Sequence, residues 1–444
     1  MLRAPITRSR PALALTAALL LTLFATSCGR SLTSSVNPTR NGRTAPTDDG
    51  GATRNGDAID SQVVVTLAAG TDATTLSTEY QATLIESDAD ERTASLLPPS
   101  GETCATLQSL LATDPRVVTA EPNGWLETAE TRQQSFAFDD GLGSAQAVAE
   151  QPAAQAIHLG DAHDVALGTG VVVAILDTGI DPQHPQLRTA YAGGWDFVDG
   201  DADPTDTRDG IDNDGDGVID EGFGHGTHVA GIVHLVAPAA KLLAVRVLDS
   251  DGRGDILDVA AGVRWAVNHG AKVVNLSLGS LKSSDALQAA LEDAERLGVV
   301  VISSAGNWGD DTPVEFPARS SHVAAIAAVD AAATPAPFSS FGDIVALAAP
   351  GVGVRSAYPG GGYRLWSGTS MSAPFVAGTA ALLAEVHPAW ALTQMLHRIE
   401  QTAGPLRGDA DHFGAGALDT GAALAPDRRS HADDEPTPEA LRPH

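Results

Sequence analysis

Five short, almost uninterrupted apolar runs constrain this chain more than anything else in it: residues 171–176, 242–247, 273–276, 299–303 and 323–329. A strand that is apolar on both of its alternating faces must be covered on both sides, which is the condition of a parallel sheet under helices. Between the runs, 256–268 and 286–297 carry apolar residues at helical spacing, and Gly270 and Gly298 stand where a glycine closes a helix. The pattern predicts an α/β domain over 156–425, a doubly wound parallel sheet with helices on both faces. In such sheets a site lies beyond the carboxyl ends of the strands.

Upstream, 63–65 reads as a strand, 103–113 as a helix and 117–120 as a second strand, closed by Glu121-Pro122-Asn123. That order predicts a small α+β module over 58–130. Residues 131–155 are rich in Gln, Ala, Ser and Gly and read as an exposed linker open to proteolysis. The polar stretch 426–444 reads as a disordered tail.

The first residues have a different character. Arg3, Arg8 and Arg10 precede an apolar run over 12–24, which ends in Ala25-Thr26-Ser27-Cys28. The run falls short of the roughly 20 residues that span a bilayer, and its flanks predict a signal peptide over 1–27. The small-small-Cys ending resembles the bacterial lipobox, in which a cysteine such as Cys28 is acylated. Ala25 departs from the leucine usual there, and an ordinary cut after Ser27 fits the same residues. Residues 28–57 have the composition of a disordered tether. The expectation is an exported bacterial protein, extracellular or lipid-anchored at the cell envelope.

Lys and Arg number 27 against 56 Asp and Glu, a formal charge of −29, which argues against nucleic acid or an anionic membrane surface as partner. Two cysteines exclude a disulfide framework and a cysteine-based zinc cluster.

Three segments carry chemistry. An apolar strand ends in Asp177-Thr178-Gly179. His225-Gly226-Thr227-His228-Val229-Ala230-Gly231 opens a helix of small residues, and Gly368-Thr369-Ser370-Met371-Ser372-Ala373-Pro374 opens another. Singly, each has a plainer reading as a turn former, a surface histidine or an N-cap. Together they offer a carboxylate, an imidazole and a hydroxyl at element ends facing one crevice. Those are the parts of an acyl-transfer site, because serine needs a base and the base needs a carboxylate to orient it.

These segments, with Val274-Asn275-Leu276-Ser277-Leu278-Gly279 and Ser304-Ala305-Gly306-Asn307, resemble the subtilisin-like serine proteases over about 157–424. The resemblance implies a subtilisin-like fold, Asp177, His225 and Ser370 as the triad, and His228 as structural. It implies Asn307 as oxyanion donor, whose loss costs roughly 10²–10³ in rate in this family, with Thr369 assisting. Ser277, Leu278 and Gly279 on one side, with Gly252 on the other, resemble edges that pair with an extended peptide substrate, and Ala305 lines the same cleft. Glu315 stands where the family often has a small residue near the base of the S1 pocket, which would favour Arg or Lys at P1. The triad order and the lack of a Gly-x-Ser-x-Gly elbow at Ser370 argue against an esterase of the α/β-hydrolase type. A non-catalytic calcium-binding protein on the same fold is the other reading.

The resemblance also implies that 58–130 is a propeptide, an intramolecular inhibitor removed by the enzyme itself, and that the product is a monomer freed from any lipid anchor by that cut. Calcium is the expected cofactor. Asp212, Asp214, Asp216, Val218 through its carbonyl and Asp220 follow the first nine positions of a calcium loop, although Phe223 stands where a bidentate glutamate belongs. Asp196, Asp199, Asp201 and Asp203 resemble a second calcium loop, of thermitase-like members.

Overall fold

The computed structural model describes residues 58–87, 92–132, 135–309, 314–408 and 410–426. The signal peptide, Cys28, the tether and the tail beyond residue 426 lie outside the described residues.

The α+β module forms from β1 (Ala58–Leu67), α1 (Ala73–Glu79), β2 (Thr83–Ser87), β3 (Thr93–Leu97), α2 (Cys104–Leu111) and β4 (Val117–Glu127). Thr103 caps α2, its hydroxyl accepting from the Thr106 N–H at 3.1 Å. The strands are antiparallel in the order β2-β3-β1-β4, and Val63, Val65, Leu96, Leu107 and Leu111 pack beneath the helices. β4 does not stop at Pro122. The register shifts between Ile59 and Val63 of β1, and Pro122 sits at that irregularity, where a residue without an N–H costs no ladder bond.

Residues 131–155 are less loose than their composition suggests. They contain the end of α3 (Ala129–Arg132), α4 (Ala145–Ala149) and most of α5 (Pro152–Ala156), and α6 (Leu159–His163) follows. Phe138 exchanges backbone hydrogen bonds with Leu365, and Arg355 grips Asp140 with both terminal nitrogens, at 2.8 and 2.5 Å. The stretch is exposed around 138–147 but bound to the larger domain, a correction to the linker expectation.

The larger domain is built on β5 (Val172–Asp177), β6 (Tyr191–Asp196), β7 (Lys241–Arg246), β8 (Arg253–Asp255), β9 (Val273–Leu276), β10 (Val300–Ser304), β11 (Ala324–Val329) and β12 (Val345–Pro350). Except for β8 these form one parallel sheet, in the order β12-β11-β10-β9-β5-β7-β6. Its helices are α7 (His225–Val236), α8 (Ile256–Asn268), α9 (Asp285–Arg296), α10 (Thr369–Val386), α11 (Leu392–Thr402) and α12 (Thr420–Leu424), and β13 (Val354–Tyr358) pairs with β14 (Gly362–Trp366) as a hairpin. The five apolar runs are five of the sheet strands. Alternation explains them: Val173 and Ile175 face the core containing α7 and α10, whereas Ala174 and Leu176 face α8 and α9. α10 is buried along nearly its whole length and is accordingly apolar on all sides. The strand order departs in both directions from β5, so the end of β5 is where a crevice opens.

The module and the domain share a sheet. Trp125–Glu127 of β4 pairs antiparallel with β8. At the base of β4, Glu121 receives bonds from Ser284 Oγ and from the Asp285 and Ala286 N–H groups, capping α9 with negative charge.

Candidate active site

Asp177 ends β5 and His225 begins α7, so the two meet at the sheet's carboxyl edge. His225 Nδ1 and Asp177 Oδ1 are 2.7 Å apart, both residues fully buried, and the Thr178 N–H also donates to that oxygen at 2.8 Å. Gly226 permits the approach, since a Cβ there would lie 2.2 Å from the Gly179 carbonyl oxygen and 3.0 Å from Asp177 Cβ. Asp206 caps α7, accepting from the Gly224 and Thr227 N–H groups and from the Thr227 hydroxyl.

Ser370 lies in the first turn of α10. Its carbonyl accepts from Ser277 Oγ at 3.0 Å, which ties the start of α10 to the end of β9. Asn307 follows β10, and its side-chain oxygen accepts from Thr369 N–H and Oγ1, both at 2.9 Å, so its amide nitrogen points at Ser370's side of the crevice. Thr369 therefore orients Asn307. His228 is turned away: its Nε2 reaches the Arg364 carbonyl at 3.2 Å, its ring packs edge-on against Trp366, and burial pushes it down to about 3.

One residue in the crevice was not anticipated. Glu130, fully buried, places Oε2 2.5 Å from Ser370 Oγ and 3.3 Å from His225 Nε2. Its Oε1 accepts from Asn307 Nδ2 at 2.9 Å and from the Ser370 N–H at 3.4 Å. Burial would push His225 down, but Asp177 first and Glu130 after it outweigh that and raise it to about 10. Burial would push Glu130 up, but its bond to His225 and the imidazolium charge hold it below the usual glutamate value. The two form a buried ion pair.

The chain leading to Glu130 is extended between two edges. Glu127 exchanges backbone bonds with Gly279 at 3.0 and 2.8 Å, and the Thr128 N–H donates to the Gly252 carbonyl at 3.0 Å. Those are the edges expected to hold a peptide. Leu278 and Ala305 are buried beside them.

Residues 168–417 match the model of the Subtilase family. The chain belongs to the subtilase family. It is a serine endopeptidase of the subtilisin type. It is 39% identical to thermitase of Thermoactinomyces vulgaris over 274 residues, 60% of this chain and 92% of that one. It is 40% identical to subtilisin BL of Lederbergia lenta over 272 residues, 59% of this chain and 94% of that one. Among solved structures, fervidolysin from Fervidobacterium pennivorans, a keratinolytic enzyme related to subtilisin, superposes with a TM-score of 0.69 at 25% identity, covering 84% of this chain and 62% of that one.

In this subtilase Glu315 is buried between Gly279 and Gly306. A Cβ on Gly279 would lie 2.3 Å from Glu315 Oε2, and one on Gly306 would lie 2.9 Å from Glu315 Cδ. Trp308 Nε1 donates to Glu315 Oε1 at 2.8 Å, and the Glu315 N–H donates to the Ala305 carbonyl.

The two expected calcium loops differ. Asp212, Asp214 and Asp216 each place a carboxylate oxygen within 4.8 Å of the others. Burial, then mutual repulsion, pushes Asp214 up to about 6, Asp251 to about 8 and Glu221 to about 9. Glu221 Oε2 is buried without a hydrogen-bond partner. Such a set is short of positive charge, so the residues fit a hard divalent cation. Asp220, expected at the ninth position, instead accepts from the Asp209 and Gly210 N–H groups. Val218 donates its N–H to Asp216, and the structure does not assign its carbonyl to the cluster.

Asp196 and Asp199, expected in a second calcium loop, are instead answered by an arginine. Arg246 Nη1 lies 2.7 Å from a carboxylate oxygen of each, with Arg246 and Asp196 both buried. Asp201 turns to the Asp203 N–H, and Asp203 to the Thr205 hydroxyl. Among the described residues these four form no cluster of carboxylates close enough to share an ion.

Proposed function

We propose that this chain is made as a precursor that cuts itself and hydrolyses peptide bonds through an acyl-enzyme. Ser370 Oγ attacks the scissile carbonyl while His225 Nε2 takes its proton, and Asp177 holds the ring and stabilises the imidazolium. The Asn307 amide and the Ser370 N–H receive the oxyanion, and His225 returns the proton to the leaving amine. A water then repeats the sequence on the acyl-enzyme. The observation that carries the reading is an extended peptide, 125–128, laid between Gly252 and Gly279 and leading to Glu130, whose side chain meets Ser370.

On this reading 58–130 is the propeptide, and protein or peptide chains are the substrates, bound as an added strand. Glu315 at the cleft favours Arg or Lys at P1. Asp212, Asp214 and Asp216, with Glu221 and Asp251 beside them, hold calcium, which supplies the positive charge that this loop lacks. Export by residues 1–27, with or without acylation of Cys28, places the enzyme outside the cell or at its envelope. Among the described residues no helix is long and apolar enough to cross a membrane.

The test is labelling by a serine-directed fluorophosphonate and peptide turnover, comparing the wild type with Ser370→Ala. Label and turnover in the wild type alone support the reading, while equal labelling of both would remove Ser370 from its role.

A further inference from the structure

We propose that Glu130 is a built-in plug: in the uncut chain its carboxylate fills the oxyanion pocket of Asn307 and Ser370 and stands between His225 and Ser370. This rests on the reading of Ser370 as nucleophile and adds a named side chain that holds it off.

The position is specific. One carboxylate oxygen takes the two donors meant for a reaction oxyanion, Asn307 Nδ2 and the Ser370 N–H. The other accepts a hydrogen bond from the Ser370 hydroxyl and faces His225 Nε2, the nitrogen that must accept the hydroxyl proton in catalysis. The cleft closes around the group, since a Cβ on Gly368 would lie 1.6 Å from Glu130 Oε1. A buried carboxylate without a cation is costly, and the cation nearest to it is protonated His225. An imidazolium between Asp177 and Glu130 has no lone pair to accept a proton from Ser370, so the pair disables the base as well as filling the pocket.

Glu130 is clamped from both sides. Upstream, Trp125–Glu127 is sewn to β8 and Gly279. At Glu130 itself the chain turns into α3 rather than continuing extended. Downstream, the Ser135 N–H donates to the Glu130 carbonyl, Trp366 Nε1 donates to the Ser135 carbonyl at 2.8 Å, and Phe138 pairs with Leu365. The Asp140–Arg355 pair anchors the end of the strap. Self-cutting then starts when the strap lifts from β14 and withdraws the plug, and the cut makes that withdrawal permanent.

The experiment follows fluorophosphonate labelling of the uncut chain from Ser31 onward at short times, for wild type, Glu130→Gln and Glu130→Ala, with the processed wild-type enzyme alongside. The expected result is at least tenfold faster labelling of uncut Glu130→Ala. Glu130→Gln, which keeps the shape but not the charge, falls between it and the wild type. If processed enzyme labels and both uncut variants label no faster than uncut wild type, the plug is overturned. If processed enzyme itself fails to label, the nucleophile reading fails instead. The plug is then read from the His225 ring proton by NMR in a Ser370→Ala background, with Glu130 kept and with Glu130→Ala added. Asp177, Glu130 and His228 are the titratable groups that face that ring. Persistence of the imidazolium to higher pH where Glu130 is kept supports the plug, and identical titration of the two proteins overturns it.

Discussion

The side-chain oxygen of Asn307 accepts two hydrogen bonds from Thr369, one from its N–H and one from its hydroxyl. The bonds fix which end of the amide faces the cleft. Asn307→Ala is expected to lower kcat by about 10²–10³-fold with little change in KM, since the donor acts on the oxyanion. Thr369→Val keeps the N–H bond and loses the hydroxyl, so a smaller loss in kcat is expected. Steady-state kinetics on a peptide substrate would check both, and an effect confined to KM would argue against this role.

Arg246 answers two carboxylates at once. Replacing it by Leu would leave Asp196 buried without its cation, a loss of about 3–5 kcal/mol for a broken buried pair. Denaturant unfolding measures this directly. A loss under about 1 kcal/mol, the scale of an exposed pair, would mean that the acidic loop rearranges freely.

Calcium should matter more as pH rises. Asp214, Asp251 and Glu221 have folded values of about 6, 8 and 9, above those of an unfolded chain, so without a cation their neutral forms favour folding. That contribution is present at low pH and is lost as pH rises through 6 to 9. Chelated protein is therefore expected to show a falling Tm across that window, while calcium-loaded protein resists it. At about 100 times its Kd a single calcium adds about 2.7 kcal/mol, roughly 3–5 °C in Tm for a folded chain of this size. Equal melting curves with and without chelator at the alkaline end of that window would remove the site.

Glu315 gives a specificity prediction. Glu315→Gln should reduce kcat/KM for substrates with Arg or Lys at P1 relative to Phe at P1. Unchanged ratios would assign the residue a purely structural part through Trp308 Nε1.

Much of this was readable from the chain because the signals are local. The apolar runs became strands, with 256–268 a helix to the residue, because burial on both faces leaves no other pattern. The three segments that meet at the crevice were legible as motifs because their glycines serve close approach, as Gly226 does to Asp177. What escaped was non-local. Nothing around Glu130 announces a partner 240 residues away, and Asp196 and Asp199 looked like free ligands because Arg246, fifty residues on, is invisible to a local count of charge. β4 outran its expected end because Pro122 falls at a bulge, which only the pairing with β1 reveals.

The most direct measurement is the intact mass of the chain from Ser31 onward, incubated with calcium, wild type beside Ser370→Ala. Wild type alone is expected to lose its N-terminal part, by a cut between about Glu127 and Gln155, while Ser370→Ala stays whole. Two full-length proteins, or two cut alike, would contradict it.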